Sequence, residues 1–270
     1  MKITIIGTGN IGSAIATGLV KSRFEKSSNI TCADLLENNL NKIKKICRNI
    51  NTTTDSTQNI EKADIIVIAV KPWIMEKAIN QIKSKLNKNQ IIVSVVAGTE
   101  FKTIKKYLEI DGSNENSPSL FRIVPNIAIE VRSSLTFVCS DNATEEQEKL
   151  IISIFNKLGG ALLIDEAHMA AGTALASCGI AFALRYIRAA IEGGVEMGFY
   201  PKQTQKIVTL TVKGAVDLLM AHQTNPEEEI DKVTTPGGIT IKGLNKMEEE
   251  GFSSAVIKGL KASTSKNTFM

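Results

Sequence analysis

Lys2-Ile3-Thr4-Ile5-Ile6-Gly7-Thr8-Gly9-Asn10-Ile11-Gly12 opens the chain, and its reading decides the fold. Five residues of strand character run into glycines spaced Gly-x-Gly-x-x-Gly, and a helical pattern follows through Leu19. That order, strand then glycine turn then helix, separates a dinucleotide fingerprint from a chance match. Gly7 permits the tight turn, Gly9 lets the backbone approach a pyrophosphate, and Gly12 allows the helix to pack closely on the strand. The amides of Asn10 and Ile11 then open the helix, whose free N–H groups and positive potential suit a phosphate.

Outward from this stretch, Val- and Ile-rich runs alternate with amphipathic segments up to about residue 165. The pattern predicts strands at 2–6, 29–33, 64–70, 90–96 and 120–124 around a parallel sheet. Two more strands are expected at 135–139 and 161–164, flanking a helix that starts at Thr144 with Glu145 and Glu146 in its first turn. Residues 111–119 read as a solvated polar loop. From 166 to 197 there is no proline but a dense set of Ala, Gly, Ser and Cys, which predicts one long buried helix with Gly172, Gly179, Gly193 and Gly194 as close-contact points. Pro201 opens a second helix to about His222, Asn225-Pro226 a short acidic one, and the later glycine-rich segment another that breaks near Gly251. The expected fold class is therefore α/β: a Rossmann-type dinucleotide-binding domain over 1–164, then an all-α dimerisation domain over 165–270. The apolar surplus of the second half points to helices of two subunits packing together.

Composition sets limits. With 43% hydrophobic and 22% charged residues in 270, the chain falls in the globular range. A net charge of +4, dispersed along the chain, gives no nucleic-acid surface. Cys32, Cys47, Cys139 and Cys178 form no Cys-x-x-Cys pair and lie far in sequence from His168 and His222, so neither a disulfide framework nor a metal site is indicated. Reduced thiols, no signal-peptide core and no run approaching the ~18 apolar residues of a membrane span lead to an expected cytoplasmic protein without a membrane partner. Both histidines are read as structural, without a carboxylate partner.

Several residues fall where chemistry would occur. Asp34 ends the second expected strand, where a carboxylate accepts hydrogen bonds from ribose hydroxyls and repels a 2′-phosphate. Asp34-x-x-Glu37 also reads as a helix capping box, and both readings stand. Ala69-Val70-Lys71-Pro72 and Ala97-Gly98 end two strands along the edge where cofactors lie; Lys71 could be only a surface lysine, but its place immediately after a buried strand favours a cofactor-side role. Near the end of the chain, Thr235-Pro236-Gly237-Gly238-Ile239-Thr240 offers successive backbone amides at a helix start, a geometry suited to a small carboxylate, with a hydroxyl at Thr240. An ordinary Pro-Gly turn would look the same. A dinucleotide site and a carboxylate site together suggest a reductase.

These segments resemble the pyrroline-5-carboxylate reductase family over nearly the whole chain. The resemblance is carried by the N-terminal glycines, Asn59, Ala69-Val70-Lys71-Pro72, Ala97-Gly98, Arg122-Ile123-Val124-Pro125-Asn126, Gly194-Val195-Glu196-Met197-Gly198 and, most specifically, Val233-Thr234-Thr235-Pro236-Gly237-Gly238-Ile239-Thr240. It implies reduction of the cyclic imine 1-pyrroline-5-carboxylate to L-proline, the last step of proline biosynthesis, with NADPH or NADH as cofactor. It assigns the substrate to Val233, Thr235, Gly237, Gly238 and Ile239 with Ser177 and Cys178, places Thr240 at the imine nitrogen, and sets Asn59 on the adenosine side and Asn126 among the cofactor residues. Where the family has Ser-Gly-Ser-Gly-Pro-Ala, this chain has Ala176-Ser177-Cys178-Gly179-Ile180-Ala181, which alters the substrate-side wall and predicts a more continuous helix. Gln223 stands where many relatives carry Glu, and Ala128 and Ser134 replace a Pro and a Gly. Two other readings are weighed. A keto-acid reductase of the same architecture would need a catalytic lysine on the long helix, yet 166–197 contains none. A non-catalytic nucleotide-binding protein would not need the Gly-Gly-Ile-Thr segment.

Overall fold

The computed structural model describes residues 1–110 and 117–264, so most of the polar loop expected at 111–119 lies outside the described residues. Contacts divide the chain into two compact units, one through Ser177 and one from Cys178 onward. The helical half expected from residue 165 therefore donates its first turns to the packing of the sheet unit.

The first unit is an eight-stranded sheet in the order β3-β2-β1-β4-β5-β6-β7-β8. Its strands are β1 Ile3–Ile6, β2 Ile30–Ala33, β3 Asn51–Thr53, β4 Ile65–Ile68, β5 Ile91–Ser94, β6 Ser119–Val124, β7 Ser134–Asp141 and β8 Gly159–Leu163. β1, β2, β4 and β5 are buried along their whole length, which is why they read as unbroken apolar runs. The helices α1 Asn10–Lys21, α2 Glu37–Ile46, α3 Pro72–Ile82 and α4 Phe101–Leu108 provide the crossovers. One apolar cluster, with Ile5, Ile15 and Phe121, and another, with Ile66, Met75 and Ile104, form the core.

The sheet is not wholly parallel as expected: β7 runs antiparallel to β6. A short 3-10 turn, Ile127–Val131, joins them, too short for the helical crossover that a parallel pair needs. α5 Glu145–Asn156 then leads to β8, parallel to β7, and begins with a full capping box between Thr144 and Gln147. β3 went unexpected because Asn51-Thr52-Thr53 offers no apolar run.

The long helix runs from Glu166 to Glu196, but not as one α-helix. A 3-10 turn at Glu166–His168 and α6 Met169–Gly172 are followed by a π-helical stretch, Thr173–Cys178, and by α7 Gly179–Glu196. The more continuous helix expected from Ile180 is thus corrected, since the loss of proline did not remove the irregularity. The expectation that the helix is buried fails in a single chain: Leu175 and Leu184 are exposed. By length and composition it is also apolar enough to cross a membrane, correcting the expectation that no such run exists. Of its glycines, Gly172 abuts the Phe137 ring, while Gly193 meets nothing within 4 Å.

In the second unit, Gly194 brings α7 against Thr204 of α8 Pro201–His222, where a Cβ would overlap the threonine methyl. α9 Pro226–Val233, α10 Ile239–Glu249 and α11 Phe252–Ala262 follow, and Gly251 breaks the last two apart at φ 81°. Among the described residues of this unit, only Gly194 and Thr204 are buried. Large apolar side chains such as Phe199, Leu210, Met220 and Ile257 stand open.

Candidate active site

Gly7, Asp34, Ala69 to Lys71, Ala97-Gly98 and Asn126 follow the carboxyl ends of β1, β2, β4, β5 and β6, which are mutually parallel and so end along one edge. The strand order reverses between β1 and β4, the switch point where open α/β sheets bind nucleotides. Each glycine of the first turn is required for a different reason. Gly7 sits at φ 90°, and a Cβ there would lie 2.7 Å from the Ala69 carbonyl. At Gly12 a Cβ would overlap the Gly7 carbonyl oxygen. A Cβ at Gly9, the N-cap of α1, would meet nothing within 4 Å among the described residues, none of which demands a glycine there. No side chain among the described residues caps α1, and its first turn holds no acid, so the Asn10 and Ile11 amides have no side-chain partner there. A dinucleotide pyrophosphate fits that cradle.

Asp34 is built into this loop. Its Oδ2 accepts from Thr8 N–H at 2.7 Å, Thr8 Oγ1 at 2.9 Å and Asn39 Nδ2 at 3.1 Å, and its Oδ1 from Leu36 N–H at 2.8 Å. Burial alone would push the carboxyl pKa up, but the hydrogen bonds outweigh it and hold it below the ordinary range. The capping box does not form, because α2 has Leu36 at its N-cap and Glu37 as its first residue, two positions too early for the pairing. Thr8, unremarked in the sequence, is the residue that ties the carboxylate to the glycine turn.

The remaining nucleotide-side residues are less closely joined. Lys71 is the exposed N-cap of α3, with Pro72 at its first position. Gly98 has φ 71° and open space around it. Asn59 lies in the loop beyond β3 with φ 65°, and no hydrogen bond among the described residues links it to the glycine turn. Asn126 is buried: its Oδ1 caps the 3-10 turn through Ala128 N–H at 2.9 Å, and its Nδ2 reaches the Ala176 carbonyl at 3.3 Å.

The carboxylate-type loop lies in the second unit. Gly238 N–H donates to the Thr235 carbonyl at 2.9 Å, closing a turn with Pro236 and Gly237 at its corners and Gly237 at φ 72°. The Gly238 amide is therefore spent on the turn. Ile239 and Thr240, the first two residues of α10, carry the amides left open, and no side chain caps that helix. Thr240 is exposed, and its hydroxyl has no partner among the described residues. Val233 ends α9 and is also exposed. Ser177 closes the first unit and Cys178 opens the second.

A Cβ at Gly238 would lie 2.5 Å from Thr235 Oγ1 and 3.0 Å from its carbonyl oxygen. Gly238→Ala is expected to open the turn and raise the Michaelis constant for a carboxylate substrate several-fold, with nucleotide affinity unchanged; titration calorimetry beside steady-state kinetics checks both. An unaltered Michaelis constant would show that the turn does not shape the site.

One cluster escaped the sequence reading. Glu229 Oε1 accepts from Lys232 Nζ at 2.7 Å and Thr224 Oγ1 at 2.6 Å and lies 3.1 Å from His222 Nδ1. These partners, Lys232 foremost, hold its pKa down to about 2. His222 thus has the carboxylate partner it was expected to lack, seven residues away across the Asn225-Pro226 turn, a spacing that only the fold brings together.

Comparison with known proteins places the chain in a family. A family model described as pyrroline-5-carboxylate reductase dimerisation matches residues 166–270, and one described as NADP oxidoreductase, coenzyme F420-dependent, matches residues 2–98. Pyrroline-5-carboxylate reductase 2 of Dictyostelium discoideum is 37% identical over 99% of this chain and 92% of its own length. The chain belongs to the pyrroline-5-carboxylate reductase family. Pyrroline-5-carboxylate reductase 1 of the same organism is 38% identical, and this chain spans 49% of its length. The crystal structure of Plasmodium falciparum pyrroline carboxylate reductase with NADP bound superposes with a TM-score of 0.88 at 26% identity, covering 98% of this chain and 96% of that one. The dimerisation match covers the helices that, among the described residues, bury no apolar side chain of their own.

Proposed function

We propose that the chain reduces 1-pyrroline-5-carboxylate to L-proline, the last step of proline biosynthesis, in the cytoplasm. The observation that carries this is the start of α10: two unspent amides and a free Thr240 hydroxyl directly after a glycine turn, on a chain that also holds an uncapped glycine cradle at α1. Bound nicotinamide supplies a hydride. Gly7, Gly9, Gly12 and the Asn10 and Ile11 amides would hold its pyrophosphate, with Asp34 at the adenosine ribose.

What remains for the protein is positioning. A protonated imine is already electrophilic, so the site needs a fixed geometry more than a strong acid or metal. The Ile239 and Thr240 amides hold the ring carboxylate at the positive end of α10. Thr240 Oγ1 hydrogen-bonds the ring nitrogen, which keeps its proton and becomes the amine as its π electrons return to it. Steady-state oxidation of NADH and NADPH with pyrroline-5-carboxylate tests the assignment, and no turnover with either nucleotide would overturn it.

Asp34 bears on the choice of nucleotide. It is charged and immobilised, and Leu35 and Leu36, not cations, follow it. NADH is expected to bind about tenfold more tightly than NADPH, a difference near 1.4 kcal/mol. Calorimetry with both nucleotides measures the ratio; a preference for NADPH that survives Asp34→Ser would show that other residues read the phosphate.

The second unit is proposed to pair with its copy in an obligate homodimer. Helices without a buried apolar side chain cannot offset their own ordering entropy, and an obligate interface of ~2,000 Å² or more would supply the missing core. Dilution should remove helicity and activity together. A fully active monomer in sedimentation would refute the pairing.

A further inference from the structure

The α register of the long helix is interrupted at Thr173–Cys178 by a π-helical stretch. Such stretches are rare and are frequent at functional sites, because the surroundings must hold them. On one side the helix is anchored: Met169 and Ala174 are buried, and Thr173 Oγ1 donates back to the Met169 carbonyl at 2.7 Å. Within the stretch, the Ala176 carbonyl takes a hydrogen from Asn126 Nδ2 at 3.3 Å. Asn126 is itself fixed at the end of β6, since its Oδ1 accepts from Ala128 N–H at 2.9 Å and its own N–H donates to Ser134 Oγ at 3.0 Å. A buried amide in the row of nucleotide-side residues is thus bonded to the backbone one residue before Ser177.

We infer that Asn126 is a positioning residue, latching the π stretch and so fixing the direction in which Ser177 projects. The inference rests on the pyrroline reductase reading. Each residue of a helix is turned about 100° from the last, so migration of the bulge by one position would swing the side chains it passes through that angle. With the latch made, the bulge stays between its buried anchor and Ser177.

Asn126→Asp tests this, because it keeps the volume and the Oδ1 acceptor for Ala128 but sets an acceptor against the Ala176 carbonyl. A hydrogen bond of this kind corresponds to roughly a 3- to 10-fold effect. The Michaelis constant for pyrroline-5-carboxylate should rise by that factor, with the NADH dissociation constant unchanged and amide exchange at residues 176–180 faster. Asn126→Ser still caps Ala128 but falls short of Ala176, and should behave alike if the aspartate variant does not fold. Weakened NADH binding with unaltered exchange at 176–180 would overturn the latch in favour of a nucleotide contact. Faster exchange with an unchanged Michaelis constant would overturn its bearing on substrate. Failure of the parent chain to turn over pyrroline-5-carboxylate would instead strike the underlying reading, and the exchange experiment separates the two.

Discussion

Gly9→Val is expected to abolish nucleotide binding while leaving the fold standing. A Cβ at Gly9 meets no atom of the described residues within 4 Å, so the valine should cost the chain little more than helix-start propensity. The space it would fill is the one in which the backbone must approach the pyrophosphate. The dissociation constant for NADH should rise at least ~100-fold, the loss of roughly 2.7 kcal/mol or more. Circular dichroism and the melting temperature should stay near those of the parent. Gly12→Ala is the contrasting control, since its methyl would overlap the Gly7 carbonyl and disturb the turn itself. Parental NADH affinity in a folded Gly9→Val protein would refute the cradle.

Thr240→Val is expected to lower turnover with pyrroline-5-carboxylate while leaving NADH binding nearly untouched. Valine keeps the branching and volume at the second position of α10 and removes only the hydroxyl, which bonds nothing else among the described residues. No internal hydrogen bond is lost with it, so the stability change should be small. A hydrogen bond strengthened in the transition state is worth on the order of 2 to 4 kcal/mol, which is roughly 30- to 1000-fold in rate. Single-turnover rates with saturating NADH measure this directly. Parental turnover would return Thr240 to a purely structural place in the helix start.

The nucleotide half was legible because its signals are local. β1 and the glycine turn are adjacent in sequence, and the clash at Gly12 and the open face at Gly9 are consequences of that short stretch. What escaped depended on partners distant in the chain. The tie between Thr8 and Asp34 spans 26 residues and turned an expected helix cap into part of the loop. β3 is too polar to announce itself, since an edge strand needs burial on neither side. The π stretch is maintained by Asn126, fifty residues upstream, so a pattern read along the helix alone predicted continuity. At Gly238 the residue type was read correctly as a turn former, but whether its amide faced substrate or closed the turn was a matter of backbone geometry.

The sheet unit of a chain carries its own apolar core, whereas the described stretch from Cys178 onward has almost nothing of its own to fold around. Under the proposed pairing, assembly depends on one copy meeting another, so active protein would rise with roughly the square of chain concentration at low expression. Unmated chains, with Phe199, Leu210 and Met220 in water, are natural clients for chaperones and proteases. In a cell carrying two alleles, a variant whose helices still pair would draw normal chains into mixed dimers, while one whose helices do not pair would simply be cleared.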